Sequence, residues 1–302
     1  MDATDTKALL NRVRRLDVRT RRLMNDSLLG EYHSVFKGRG MDFDAVREYV
    51  PGDEVRTIDW NVTARTGHPF VKKYTEEREL TLLLMIDISA SGDFGGGSQS
   101  KRELAAEVAS LLALSAICNG DRVGLLLFSD RIEQYIPPQK GRRHVLRVVR
   151  EILAHEARGR GTDVLGALDV AAHVLHRRAI VFLISDFQTN DDARARPALR
   201  RALRQTHRRH DLIAVHIEDA RERELPDVGL VSLEDAETGE LIELDTGDAV
   251  LRQRFKEQAA VRTRELLGDL RREGIDALPL STDAPYLPAL QRFFKSRQRA
   301  RA

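Results

Sequence analysis

The chain has 302 residues, 42% hydrophobic and 32% charged, and its 49 basic and 47 acidic residues leave a formal net charge of +2. That composition is globular, and the charge balance argues against a dedicated nucleic-acid binder, which carries a marked basic excess. A single cysteine, Cys118, excludes an intramolecular disulfide and a thiolate metal cluster. Lying in the apolar run 108–118, it is expected as a buried core thiol.

The first residues, Met1-Asp2-Ala3-Thr4-Asp5, are acidic and lack the basic-then-apolar pattern of a secretory leader. Apolar runs are short and bounded by charge, whereas a membrane-spanning helix needs roughly 20 apolar residues. A cytoplasmic protein is therefore expected. Residues 5–28 read as an amphipathic helix, because Leu9, Val13, Leu16 and Leu23 recur at helical steps between arginines. Such a helix either docks on a partner or, more plainly, packs on its own domain.

From Phe36 to Glu79 the pattern changes. Gly38, Gly40, Pro51, Gly52, Gly67 and Pro69 punctuate short extended pieces around Trp60. This predicts an arm of strands and turns. Its residues Arg47, Tyr49, Arg56 and Trp60 are candidates for a partner-binding surface. The plainer alternative is an arm tied down by aromatic burial and Arg–Asp pairs.

From Leu80 onward strands and helices alternate. Thr81–Ile88 is a continuous apolar run, as in a strand buried on both faces. A helix is expected over 101–117, then strands over 122–128 and 132–136. Only Ser129-Asp130-Arg131 separates those two strands, so they form an antiparallel hairpin. Helices follow over 144–156 and 164–176, then a strand over 179–185, an arginine-rich helix around 194–208 and a strand over 211–217. A second hairpin pairs 229–233 with 241–244. A long helix over 248–272, a strand over 275–280 and a helix from about Pro288 complete the chain. The resulting organisation is an N-terminal helix (1–35), the arm (36–79), a large domain (80–294) and a basic, frayed tail (295–302). The fold class is α/β: a mostly parallel sheet with one antiparallel edge strand, flanked by helices.

In sheets of this kind ligands sit at the carboxyl ends of strands where the winding direction changes. Directly after the first buried strand stands Asp87-Ile88-Ser89-Ala90-Ser91-Gly92, an acid and two hydroxyls at alternate positions. Gly159-Arg160-Gly161-Thr162-Asp163 offers a hydroxyl on a loop before a helix. Ile184-Ser185-Asp186-Phe187 ends another buried strand with a carboxylate. Hard oxygen donors of this kind suit Mg2+, with Mn2+ as a substitute. No adjacent His or Lys is found to serve as a base, and no catalytic residue is expected.

These residues resemble the metal-ion-dependent adhesion site of von Willebrand factor A domains: Asp-x-Ser-x-Ser, then a threonine, then an aspartate. The resemblance implies a von Willebrand factor A-like, Rossmann-type fold. It also implies that Ser89, Ser91 and Thr162 coordinate the metal directly, with Asp87 and Asp186 acting through water or hydrogen bonds. A metal ion with mostly neutral ligands of that kind favours an incoming carboxylate, so binding of a partner's Asp or Glu is expected. A second resemblance covers about Gly38 to Gln188. The run from Gly40 to Asp53 (GMDFDAVREYVPGD), Arg56-Thr57-Ile58-Asp59-Trp60, Thr63-Ala64-Arg65, Tyr74-Thr75-Glu76-Glu77 and Ile184–Phe187 are similar to the family labelled "domain of unknown function 58". Many members carry a membrane-anchored N-terminus, whereas this chain is expected to start with a soluble helix. The family resemblance implies a MoxR-type AAA+ ATPase as partner and adaptor or co-chaperone work. The chain has no phosphate-binding loop of its own.

Two other functions stand beside this one. A Mg-dependent phosphohydrolase would use Asp87 as nucleophile, but a phosphatase of the haloacid dehalogenase type wants a second acid where Ser89 stands. A nucleic-acid-associated protein would bind through Arg194–Arg209, against which a solvated helix face is the plainer reading; no nucleic acid is expected. The glycines Gly95–Gly97 are expected as a rim loop beside the metal, and His207 and His210 as a solvated helix end.

Overall fold

Leu82, Leu84 and Ile86 pack on one face of a central sheet while Leu83 and Met85 pack on the other, and all five are fully buried. They belong to β3 (Thr81–Asp87), and their alternation explains why this strand carries an uninterrupted apolar run. The structure is a computed structural model that describes residues 30, 32, 35, 36, 41–76, 79–94, 99–188, 195–234, 239 and 241–301. The expected helix at 5–28 and the glycines 95–97 lie outside the described residues.

Before β3 come β1 (Met41–Glu48), a short helix α1 (Trp60–Thr66) and β2 (Phe70–Glu76). After it run α2 (Lys101–Cys118), β4 (Arg122–Phe128), β5 (Ile132–Gln139), α3 (Arg142–Ala154), α4 (Val164–Val174) and β6 (Ile180–Ser185). The chain continues through α5 (Ala195–Arg209), β7 (Asp211–Glu218), α6 (Ala220–Arg223), β8 (Leu230–Glu234) and β9 (Leu241–Asp245). It ends with α7 (Ala249–Arg272), β10 (Asp276–Ser281) and α8 (Tyr286–Arg301).

The six-stranded sheet has the order β10-β7-β6-β3-β4-β5. All pairings in it are parallel except β4–β5, the expected hairpin, so β5 is an antiparallel edge strand. Helices α2, α3 and α8 cover the face of Leu82, Leu84 and Ile86, and α4, α5 and α7 cover the other. This is the von Willebrand factor A-like arrangement that the motif implied. The winding direction changes between β3 and β6, where Ile86 lies opposite Ile184. Asp87 and Ser185, each one residue further on, are thereby placed side by side at the carboxyl edge.

The arm is an antiparallel β1–β2 ribbon with a register shift between Phe43 and Ala45. Between its strands the expected turns include helix α1, capped by the Asp59 side chain on the amides of Asn61 and Val62 and stopped by Gly67 at φ 76°. Arg47 and Asp53 form a bidentate pair at 2.7 and 2.6 Å, as the plainer reading of the arm had it. Trp60 does not follow that reading: it is 66% exposed, as one end of a seven-residue helix with no covering layer among the described residues. Arg56 is exposed and Tyr49 half-buried.

Three expectations change. Cys118 is exposed, because it is the last residue of α2 and lies beyond that helix's packed stretch. His210 is buried, and its Nδ1 accepts the Ala179 amide at 3.3 Å. Residues 295–301 are not a frayed tail but the last turns of α8. There Arg297 is buried, pairs with Asp211 (2.6 Å) and Asp276 (2.8 Å), and stacks over Phe36 and Phe293. On α5, Arg196, Arg200 and Arg204 pair with Glu265 of α7 and with Glu273 just beyond its end, so that face of the arginine-rich helix is committed to the fold. Among the described residues no helix is long and apolar enough to cross a membrane.

Asp121, in the turn between α2 and β4, is buried and accepts the Leu80 amide at 3.0 Å and the Tyr32 hydroxyl at 3.4 Å. Burial pushes its carboxyl up to about 6, and these two hydrogen bonds offset that only in part. The folded value lies above the unfolded one. The folded state therefore holds the extra proton between about pH 4 and 6, and this group costs stability as pH rises through that window. Asp121→Asn is expected to gain about 1 kcal/mol at pH 7.5 over wild type. Urea unfolding should show the gain shrinking at pH 4.5.

Candidate functional site

The polar cluster begins where β3 runs out of apolar residues. Asp87 Oδ1 accepts the amide of Ser89 at 2.9 Å, and Oδ2 accepts the hydroxyl of Ser185 at 2.7 Å. One bond turns the chain into a short 3-10 turn, Ala90–Asp93, and the other ties β3 to β6. The turn brings Ser91 back beside Ser89, with their hydroxyl oxygens 3.1 Å apart. Ser91 Oγ then donates to Asp186 Oδ2 at 2.8 Å. Burial, with the Asp186 charge close by, pushes the Asp87 carboxyl up to about 6.

Asp186 is aimed by an unusual piece of backbone. Phe187 follows it at φ 56°, a left-handed conformation rare for an aromatic residue. Two bonds hold that turn: the Phe187 amide to Ser185 Oγ at 2.9 Å and the Gln188 amide to Asp186 Oδ1 at 3.0 Å. Strain of this kind persists where its surroundings determine it, and it clusters at functional sites.

Thr162 stands on the loop between α3 and α4, and that loop is fastened from several sides. The Ala90 amide donates to the Arg160 carbonyl (3.0 Å), and the Asp163 amide to the Ser129 carbonyl (2.7 Å). Glu133 Oε1 accepts the Ser129 hydroxyl (2.7 Å) and the amides of Arg158 and Gly159 (both 2.9 Å). Gly159 leaves room there, since a Cβ would fall 2.1 Å from Asp130 Oδ1 and 2.5 Å from Ser129 Oγ, and those side chains would have to shift. The Thr162 hydroxyl is buried and has no hydrogen-bond partner among the described residues. Four of the five expected site residues thus form one connected cluster, and the fifth brings an unused hydroxyl on a pinned loop.

The family described as "Protein of unknown function DUF58" matches residues 45–265. The chain belongs to that family. The uncharacterized protein Rv1480 of Mycobacterium tuberculosis is 34% identical over 298 residues, covering 98% of this chain and 92% of its own length. The uncharacterized protein YeaD of Bacillus subtilis is 30% identical over 112 residues, 37% of this chain and 26% of its own. Among solved structures, BatB from Bacteroides thetaiotaomicron aligns with 74% of this chain and 100% of its own at 15% identity and TM-score 0.46. The SpRpn10 VWA domain aligns with 70% and 93% at 15% identity and TM-score 0.39.

In this DUF58 protein the expectation that no lysine or histidine adjoins the motif is overturned. Lys101, the first residue of α2, is 3% exposed, and its Nζ lies 2.6 Å from Asp186 Oδ2 and 2.5 Å from Glu222 Oε1. Burial works against its charge, but the two carboxylates outweigh burial and hold the ammonium above its ordinary range. His216 is buried near Asp186 and Lys101; burial brings it down to about 4, so it stays neutral near pH 7. Ser100-Lys101-Arg102-Glu103 carries the Ser-x-x-Glu signature of a capping box, and that box forms. The sequence could therefore have placed Lys101 in the first helical turn, but not beside Glu222, which is 121 residues away. Glu133 carried no signal of its own.

Glu133 has a depressed pKa. Burial would raise it, but the Ser129 hydroxyl and the amides of Gly159 and Arg158, with His155 close by, bring it down to about 2. The folded value lies below the unfolded one, so its contribution is present above about pH 4.3 and lost as pH falls toward 2. Glu133→Gln should cost about 1–2 kcal/mol at pH 7, read by urea unfolding. Faster backbone amide exchange should be confined to residues 158–163.

Proposed function

We propose that this chain is a metal-dependent protein-interaction module. In this reading Ser89, Ser91 and Thr162 hold a Mg2+ ion, or Mn2+ in its place, and Asp87 and Asp186 support those hydroxyls from behind. The observation that carries it is the buried Thr162 hydroxyl, without a partner among the described residues, on a loop tied to the Ser89–Ser91 turn. A buried polar group left unpaired is costly unless something else satisfies it.

The donor set fits a hard cation. Both oxygens of Asp87 and both of Asp186 already accept hydrogen bonds, which leaves hydroxyl oxygens as the available donors. Among the described residues no three His, Cys, Asp or Glu side chains come together as a metal cage. A bound ion would supply positive charge to attract a partner's Asp or Glu side chain. Asp87 orients the serine turn, Asp186 holds Ser91, and the Glu133-anchored loop presents Thr162. Lys101 stays protonated between two carboxylates, which suits a binding site better than a general base. We read the protein as a non-enzyme working in the cytoplasm. By family resemblance, its partner is a MoxR-type AAA+ ATPase or that ATPase's client, with this chain as adaptor or co-chaperone.

Thr162→Val separates this reading from a structural one, because it removes a hydroxyl that bonds to nothing described. In EDTA the variant should melt at the wild-type temperature or slightly above it. At saturating Mn2+ the wild type should gain about 5–10 °C and the variant should not. A wild-type melting temperature identical in EDTA and in Mn2+ would sink the metal site. With a MoxR-type ATPase, co-elution in gel filtration should require Mg2+ and be lost in Ser89→Ala. Co-elution that persists in EDTA would refute the carboxylate contact.

A further inference from the structure

Lys101 is an expensive residue to keep where it is. It opens α2, so its charge faces the positive end of that helix's dipole, and its side chain is 3% exposed. A residue needed only to start the helix would not be a buried ammonium, since the capping box of Ser100 and Glu103 already does that work. The location of the charge is the informative point. Asp186 Oδ2 accepts from Lys101 Nζ at 2.6 Å and from Ser91 Oγ at 2.8 Å, so one carboxylate oxygen separates the ammonium from the hydroxyl pair. Asp87, Ser89, Ser91, Lys101 and Asp186 line one cleft of about 20 Å³, room for a single water-sized occupant.

The ammonium also has a second seat. Glu222 Oε1 lies 2.5 Å from Nζ and accepts Gln188 Nε2 at 3.1 Å. Its other oxygen, Oε2, accepts the Asp219 amide at 3.0 Å in the capping box of α6. Glu222 is thus fixed in place, and it can keep Lys101 if the charge of Asp186 is drawn toward another cation.

We propose that Lys101 is the resident cation of this site, a built-in competitor on Asp186 that keeps divalent-metal affinity low until a partner's carboxylate arrives with the metal. The proposal rests on the metal reading above and adds its regulation. Repulsion between the ammonium and a divalent ion, across one oxygen in a poorly solvated cleft, weakens binding of the metal alone. An incoming carboxylate offsets that repulsion, so metal and partner each raise the affinity for the other by the same factor. Metal without partner, or partner without metal, is then held weakly.

The test is Mn2+ binding to the purified full chain without any partner, followed by the electron paramagnetic resonance signal of free Mn2+. Lys101→Met keeps the aliphatic stem and removes the charge, and should bind Mn2+ roughly tenfold tighter than wild type or more. Glu222→Gln leaves the ammonium to Asp186 alone and should bind Mn2+ more weakly than wild type. Were Lys101 merely structural, its loss would loosen the site and weaken binding, which would overturn the proposal. Equal Mn2+ affinity in wild type and Lys101→Met would also overturn it, with the metal site left standing. Binding to none of the three proteins would overturn both. If Lys101→Met fails to fold by circular dichroism, Glu222→Gln decides: affinity equal to or tighter than wild type refutes the competitor.

Discussion

The parallel pairing of β3 with β6 is the constraint from which the rest of this molecule follows. With Ile86 opposite Ile184, the two strands end together, and the residues just beyond them meet as Asp87 and Ser185. The pairing is possible because both strands are apolar on both faces and buried between two helix layers. A slip of one residue would exchange the faces of every side chain and separate Asp87 from Ser185. Sheet register and the polar cluster are thus one feature seen at two scales.

At the carboxyl edge, burial and charge work against each other. Asp87 is pushed up to about 6, while Asp186 and Glu222 hold Lys101 as an ammonium. The carboxylates are saturated by hydroxyls, amides and that lysine, which leaves hydroxyl oxygens as the least committed donors. Such a site has little spare negative charge of its own. Asp186 Oδ2 is shared between the Lys101 ammonium and Ser91 of the serine turn.

The arm is a different kind of structure. A two-stranded ribbon with a seven-residue helix is too small to hold a core of its own, and Val50, Val55 and Trp60 are well exposed on it. Its order comes from local bonds: the Arg47–Asp53 pair, the Asp59 cap and the Gly67 stop. Arg47 is thus engaged with Asp53, while Arg56 and Trp60 face outward.

Much of this was legible in the residues. Strand and helix periods located the elements of the large domain to within a few positions, because buried β-strands and amphipathic helices impose regular apolar spacing. A three-residue gap, Ser129-Asp130-Arg131, sufficed to make β5 antiparallel, since so short a link cannot cross the sheet. Asp87, Ser89, Ser91 and Asp186, which meet at the carboxyl edge, and Thr162 on its pinned loop stood out in the sequence as candidates, because oxygen-bearing residues at strand ends and beside glycines are conspicuous in a line of text. Helix α1 also had its signals, an aspartate cap and a glycine stop, inside a segment whose prolines and glycines suggested only turns. What the sequence could not decide were encounters between distant residues whose own neighbourhoods look ordinary. Lys101 resembles any first-turn lysine until α6 brings Glu222 to it, and Glu133 resembles any strand glutamate until the 158–163 loop folds over it. Cys118 and Trp60 show the same limit for burial, which depends on what packs against a side chain. Local chemistry named the candidate oxygen donors, and only the tertiary structure, by closing long loops and excluding water, decided which charges they meet.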